Sequence, residues 1–180
     1  MNEPSPRLAT LGDAGYDRQL RFGAGMPNFE RGDDVAEAPS VIEAQDQRQS
    51  IEACIRRLIE LRAAGDVDGL VAYAAPDIVF KTGIGRAHPF HAEYKGIEAC
   101  ANLVRDVNVY YENLGSRLNK LLIDGDQVAL HRTTRIRNRG TGRAIEVDMW
   151  NFVRFRDGLI AEFAEYPDTE AFARLDATDG

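Results

Sequence analysis

The sequence predicts an α+β fold in which helices pack on one face of an antiparallel sheet. Two observations favour this class. Apolar residues between positions 50 and 110 recur at helical spacing, whereas the last third of the chain alternates apolar and polar residues between turn signals. The 180 residues, 44% of them hydrophobic, are enough for a single domain with a sizeable core.

Three helices are expected between Gln49 and Val107. The first extends from Gln49 to Gly65, because its apolar residues are three or four positions apart. Asp66 can cap a short second helix, which must end before Pro76. A third helix begins at Gly96. The segments between them are predicted as a short strand, Ile78–Phe80, and a loop, Gly83–Tyr94.

A meander of four strands follows, because Asp-Gly and Gly-rich pairs separate alternating segments. The predicted strands are Leu118–Ile123, Val128–Arg137, Ala144–Arg156 and Leu159–Tyr166, and a terminal helix covers Thr169–Leu175. Residues 48–176 are therefore predicted to form the domain. Residues 1–47 are rich in Gly, Pro, Asp and Glu without periodicity, which is typical of a flexible or loosely docked arm.

The composition excludes several classes of function. A net charge of −7 argues against nucleic acid as a partner, since phosphate binding requires a positive surface. No apolar run is long enough to cross a membrane and no signal-peptide pattern is present, so a cytoplasmic location is expected. Cys54 and Cys100 have no metal-binding spacing and are interpreted as buried free thiols.

Two stretches resemble the nuclear-transport-factor-2-like (NTF2-like) superfamily, which includes ketosteroid isomerases, limonene-type epoxide hydrolases and SnoaL-like polyketide cyclases. Residues 64–80 resemble its helix–turn–helix and first strand. Residues 152–168 resemble its penultimate hairpin and the end of its last strand. The resemblance implies a cone-shaped fold whose curved sheet wraps around the N-terminal helices and encloses a pocket for a small apolar ligand. Because this fold carries unrelated chemistries, activity must be argued from the site.

At the positions that match the catalytic residues of a ketosteroid isomerase, this sequence has other residue types. The resemblance places Thr82 at the position of the base and Leu58 at that of the tyrosine donor, and neither residue type can do that chemistry. Asn151 falls at the position of the protonated acid. It can donate a hydrogen bond to a ligand oxygen or, equally, satisfy backbone groups inside the cone.

The pattern of an epoxide hydrolase is also incomplete. The resemblance puts Arg132 and Glu165 at the arginine and one acidic position, whereas Thr134 occupies the other acidic position. Phe80 and Thr82 replace the supporting Tyr and Asn. One carboxylate can activate water, but no partner then delivers the proton.

Strand alternation places Arg132 on the face expected to line the cavity. The ligand contacts predicted on the cavity face of these strands are Thr134, Met149, Asn151, Val153 and Phe155. Other elements contribute the predicted ligand contacts Leu58, Phe80 and Thr82. A charged pair of Arg132 and Glu165 among apolar neighbours is costly unless the two groups meet each other or a ligand. Two readings remain open, a structural salt bridge and a polar anchor that activates water.

The predicted loop at the cavity mouth contains His88, His91 and Tyr94. The histidines are candidate acid–base groups, since histidine titrates near neutral pH, and Tyr94 is a candidate contact at the rim. Polar residues on a mobile rim are the simpler reading. No third metal ligand is evident, so neither a metal nor a cofactor is expected.

These residues favour an enzyme, a hydrolase, isomerase or cyclase that acts on a small apolar substrate. The alternative is a non-catalytic ligand-binding or dimeric assembly domain. The longer histidine-containing excursion usual in SnoaL-like cyclases is absent. A homodimer through the convex sheet face is expected, because Trp150 and Phe152 lie on the face opposite the cavity.

Overall fold

The computed structural model describes residues 41–85 and 88–177. The described residues form four helices: α1 (Val41–Ala64), α2 (Val67–Val71), α3 (Ile97–Tyr110) and α4 (Thr169–Asp176). The predicted arm, residues 1–47, falls largely outside the described residues. No helix among the described residues has the length and apolar character needed to cross a membrane.

The first helix begins at Val41, eight residues before the predicted start at Gln49. Residues 42–50 are all exposed, so this part of the helix has no apolar face to reveal it in the sequence. The helix ends as predicted at Gly65, whose φ of +69° is the left-handed conformation that glycine tolerates at a helix end. The carboxylate of Asp66 then accepts the amide of Gly69 and caps α2.

Six strands form one open sheet. They are β1 (Ala74–Thr82), β2 (Glu93–Lys95), β3 (Tyr111–Asp124), β4 (Gln127–Asn138), β5 (Ala144–Arg156) and β6 (Leu159–Pro167), in the order β2-β1-β6-β5-β4-β3. The predicted meander is the antiparallel series β3 to β6. The expected α+β fold is confirmed.

Two features of the sheet were not predicted. Strand β1 lies beside β6 in parallel orientation, and the short β2 pairs with β1 at the edge of the sheet. The strand β3 also begins at Tyr111, seven residues before its predicted start, because polar residues interrupt its alternation. The β1–β6 pairing matters for the site, since it places Thr82 opposite Glu165.

Alternation along the strands separates a buried face from an exposed face. The buried residues of β4 and β5 are Val128, Leu130, Arg132, Thr134, Ile136, Val147, Met149, Asn151, Val153 and Phe155. The helices α1 and α3 pack against this sheet, and α4 packs against β4 and β5. The core forms two apolar clusters, one around Ile55 and Phe155 and the other around Tyr111 and Phe172.

Candidate functional site

A cavity of about 150 Å³ lies between the helices and the buried face of the sheet. Its walls are mainly apolar side chains of α1, α3 and β1, including Leu58, Phe80 and Val104. Polar groups come from Arg62, Thr82, Arg132, Asn151 and Glu165. An apolar cavity with a few convergent polar groups is typical of a small-molecule site.

A second cavity of about 60 Å³ lies towards α4 and is lined by Phe90, Tyr111 and Phe172 among others. The two cavities share a set of lining residues: Arg62, Thr82, Val107, Arg132 and Glu165. The charged groups therefore lie where the two cavities adjoin, and a molecule in either cavity has access to them.

Arg132 is 7% exposed and is held by protein groups on every nitrogen. Its Nε donates to Asn151 Oδ1 at 2.9 Å, and its Nη1 donates to Thr134 Oγ1 at 2.8 Å and to Ser116 Oγ at 3.2 Å. Its Nη2 donates to Glu165 Oε2. With four N–H groups placed on protein acceptors, Arg132 is fixed in one orientation.

Glu165 is bound to the protein through one oxygen. Its Oε2 accepts from both Arg132 Nη2 and Asn151 Nδ2, the latter at 3.1 Å. Its Oε1 forms no hydrogen bond with any residue in 41–85 or 88–177. The expected pair of Arg132 and Glu165 thus exists, and it is not a closed bidentate pair.

Arg62 is a cavity residue that the sequence analysis missed. Its Nη1 donates to Asn108 Oδ1 at 2.6 Å, and it forms no ion pair with a described residue. The pKa of its guanidinium is lowered, chiefly by burial and further by Arg132, while Glu165 acts in the opposite sense. Arg62 follows Leu58 by four positions, so a cation on the apolar stripe of α1 was the available signal.

The other predicted ligand contacts line the larger cavity, the smaller cavity or neither of the two. Leu58, Phe80 and Thr82 line the larger cavity, and Thr134 and Met149 line the smaller one. The hydroxyl of Thr82 donates to the carbonyl of Phe90, so this side chain fixes the loop.

Val153 and Phe155 line neither of these two cavities. They lie on the predicted face, but both are buried in the apolar core cluster that also contains Ile51 and Ile55 of α1. Tyr94 also packs against this core and lines neither cavity.

The two loop histidines occupy different surroundings. His91 is exposed and lines neither cavity. His88 is partly buried, and its Nδ1 accepts the amide of Phe90 at 3.2 Å, which leaves the proton of the neutral ring on Nε2. This Nε2 lies 3.0 Å from the hydroxyl of Tyr111, which in turn donates to Asp176.

The cluster of His88, Tyr111 and Asp176 joins the loop to α4 beside the smaller cavity. Burial lowers the pKa of His88 most strongly, while Asp176 opposes this shift. Burial and Asp176 both raise the pKa of Tyr111. Within the described residues, no group of three or more His, Cys, Asp or Glu side chains is placed to hold a metal ion.

Comparison with solved structures identifies the fold. An NTF2-like protein from Burkholderia xenovorans is 23% identical with a TM-score of 0.60, over 72% of this chain and 97% of that chain. A candidate isomerase from Rhodopseudomonas palustris is 19% identical with a TM-score of 0.60, over 70% and 94% of the two chains. A candidate polyketide cyclase from Xanthomonas campestris is 18% identical with a TM-score of 0.60, over 73% and 99%.

At these identities the likeness establishes the fold, and it confirms the predicted NTF2-like fold. Comparison with curated protein sequences gave no match. The model of the SnoaL-like domain matches residues 55–163, more than half of the sequence. The chain therefore belongs to the SnoaL-like domain family.

Proposed function

We propose that the protein is an enzyme that binds a small, mostly apolar molecule and transfers a proton with Glu165 as the base. The supporting observation is the position of this carboxylate between the two cavities, with Oε2 held and Oε1 without a hydrogen bond to any described residue. A base needs a lone pair directed to the substrate and a fixed orientation. Arg132 and Asn151 supply the orientation.

The reaction class follows from the count of titratable groups. Glu165 is the only carboxylate among the described residues that line either cavity, and no described histidine lines them. Hydrolysis of an epoxide requires an acid and a base. Isomerisation requires one group that takes a proton from carbon beside a carbonyl and returns it to another carbon. We therefore favour an isomerase or a cyclase over a hydrolase, and the step uses no cofactor.

A non-catalytic ligand-binding domain is the second candidate. Arg132 makes all of its observed hydrogen bonds to protein groups, as expected of a residue that stabilises the sheet. Under this proposal the cavity binds a small molecule and Glu165 closes an internal salt bridge. The two candidates differ in whether Glu165 is needed for binding and folding or for turnover.

We also propose that the protein is a homodimer that pairs its convex sheet faces. Trp150, Phe152 and Tyr166 are 43%, 53% and 47% exposed and lie on the face opposite the cavity. They form one patch, since Phe152 contacts Tyr166 and Trp150 lies opposite Tyr166 in the register of β5 and β6, with His131 stacked on Trp150. A contiguous aromatic patch of this kind is typical of an interface.

The substitution Glu165→Gln tests the enzyme proposal. The wild type would be screened with enones, lactones and epoxides, and turnover of an active compound compared with that of Glu165→Gln. We expect a loss of about 10²-fold or more with ligand affinity retained. Glu162→Gln is the matched control, since Glu162 lies on the same strand, is exposed and pairs with Arg154. Unchanged turnover in Glu165→Gln would contradict the proposal, and loss of affinity or folding would favour the binding domain.

A further inference from the structure

The larger cavity contains more positive than negative charge. The described charged residues that line it are Arg62, Arg132 and Glu165. Glu165 accepts a hydrogen bond from Arg132, and the two charges offset each other. The remaining guanidinium, that of Arg62, has no carboxylate of a described residue within ion-pair distance.

The hydrogen bonding of Arg62 is also incomplete. A guanidinium carries five N–H donors. The residues that the structure describes provide one acceptor, the side-chain oxygen of Asn108 on α3. Arg62 and Asn108 lie near the C-terminal ends of α1 and α3. Their hydrogen bond therefore holds the guanidinium at the helical side of the cavity.

An isolated cation in apolar surroundings is unfavourable unless it meets an opposite charge. The cavity that Arg62 lines is walled mainly by apolar side chains such as Leu103 and Val107. Burial lowers the pKa of Arg62, in agreement with this cost, although a guanidinium stays charged at neutral pH. A bound anion would remove the cost and use the free donors, since paired N–H groups match the geometry of a carboxylate.

We propose that Arg62 is the recognition residue for an anionic oxygen group, and that the ligand of this cavity is an apolar organic acid. The acid group lies against Arg62, and the apolar body lies among the side chains of α3 and β1. This inference rests on the proposed function only in taking the cavity as the ligand site. It holds whether Glu165 is a catalytic base or a structural partner of Arg132.

The position of Arg62 also relates the acid group to the proposed base. Arg62 and Glu165 both line the two cavities. A ligand anchored at Arg62 therefore brings its neighbouring carbon atoms into the region that Glu165 faces. Arg62 then selects the ligand by its acid group, and Glu165 determines which neighbouring carbon reacts.

Matched pairs of aromatic acids and their primary amides test the proposal. Cinnamate and cinnamamide, benzoate and benzamide, and 1-naphthoate and 1-naphthamide differ in charge and little in shape. Binding to the full chain would be measured by calorimetry and by ligand-detected NMR. We expect at least one acid to bind, and to bind on the order of tenfold or more tightly than its amide, because hydrogen bonds between charged groups exceed those of neutral ones.

Variants of Arg62 identify the residue responsible. Arg62→Gln should remove the preference for the acid, and Arg62→Lys should retain part of it. Arg57→Gln is the matched control, because Arg57 lies on the same helix, is exposed and pairs with Glu60. Absence of binding by every acid, equal affinity for acid and amide, or an unchanged preference in Arg62→Gln would each overturn the proposal.

The stability of Arg62→Met separates a ligand role from a structural one. If Arg62 serves to bind a ligand and not to stabilise the fold, Arg62→Met should leave the melting temperature of the ligand-free protein unchanged or raise it. A lowered melting temperature together with an unchanged acid preference in Arg62→Lys and Arg62→Gln would assign it a structural role. Glu165→Gln should keep acid binding, so loss of turnover there and loss of acid binding in Arg62→Gln report on the two proposals separately.

Discussion

Asn151 donates a hydrogen bond of 3.1 Å to the Oε2 atom of Glu165, which also accepts a hydrogen bond from Nη2 of Arg132. The Oδ1 atom of Asn151 accepts from Nε of Arg132 at 2.9 Å, and the side chain is fully buried. The amide therefore contacts both charges of the ion pair and fixes their relative orientation. The sequence leaves open whether Asn151 contacts a ligand or satisfies backbone groups inside the cone, and the observed hydrogen bonds of its side chain are to the side chains of Arg132 and Glu165.

The substitution Asn151→Ala should destabilise the protein by about 1–3 kcal/mol, because it leaves the buried Nε donor of Arg132 without an acceptor. Urea unfolding of the two proteins measures the difference. Asn119→Ala is the control, since Asn119 is exposed and bonds Thr133 on the other face of the sheet. Its effect should be within about 0.5 kcal/mol. Equal losses for the two variants would show that the buried network does not stabilise the fold.

The strand period explains which site residues the sequence could reveal. Arg132, Asn151 and Glu165 were placed on one face by counting alternate residues along β4, β5 and β6, and the register confirms that these strands are neighbours. Alternation does not say how far a helix extends over that face. Val153 and Phe155 are therefore predicted to line the cavity, although they belong to the apolar core cluster that contains Ile51 and Ile55.

Long-range contacts account for what the sequence could not reveal. Arg62 faces the cavity because α3 supplies Asn108, which is 46 positions away along the chain. Tyr111 meets Asp176 across 65 positions, so no local pattern indicates the cluster that holds His88. Neither contact follows from helical or strand periodicity, because both depend on how separate elements pack.

The substitution Phe152→Asp should convert the proposed homodimer to a monomer. A charge at the centre of the aromatic patch would have to be buried without a partner if the interface formed. Light scattering coupled to size-exclusion chromatography measures the mass of each variant. Val109→Asp is the control, because Val109 is 68% exposed on α3, away from the sheet face. A monomeric wild type would rule out the dimer, and a dimeric Phe152→Asp would move the interface elsewhere.

The two thiols should react slowly with iodoacetamide in the folded protein. Burial raises the pKa of Cys54 to about 11, and burial also raises the pKa of Cys100, so little thiolate is present near pH 8. Mass spectrometry after timed alkylation counts the modified residues. In guanidinium chloride both cysteines should be alkylated at the rate of free thiols. Rapid modification of either cysteine in the native protein would contradict the buried placement.

The folded protein should lose stability as the pH falls from about 7.5 to about 5, and His88 should contribute to this loss. Its pKa is lowered below the ordinary value of 6.5, mainly by burial, with Asp176 acting in the opposite sense. Below the unfolded pKa the unfolded chain then binds more protons than the folded one, so the contribution is present above that pH and is lost as the pH falls. Tyr111 lies against the same nitrogen as a neutral hydroxyl.

Melting temperatures across this pH range, measured for His88→Gln and His91→Gln, check the assignment. His88→Gln should show a weaker dependence on pH than the wild type, because the buried titrating group is gone. His91→Gln should retain the dependence of the wild type, since His91 is exposed and lies three positions along the same loop. If His88→Gln and the wild type lose stability in parallel, the titration of His88 does not control the acid response, and the link between the loop and α4 is independent of pH.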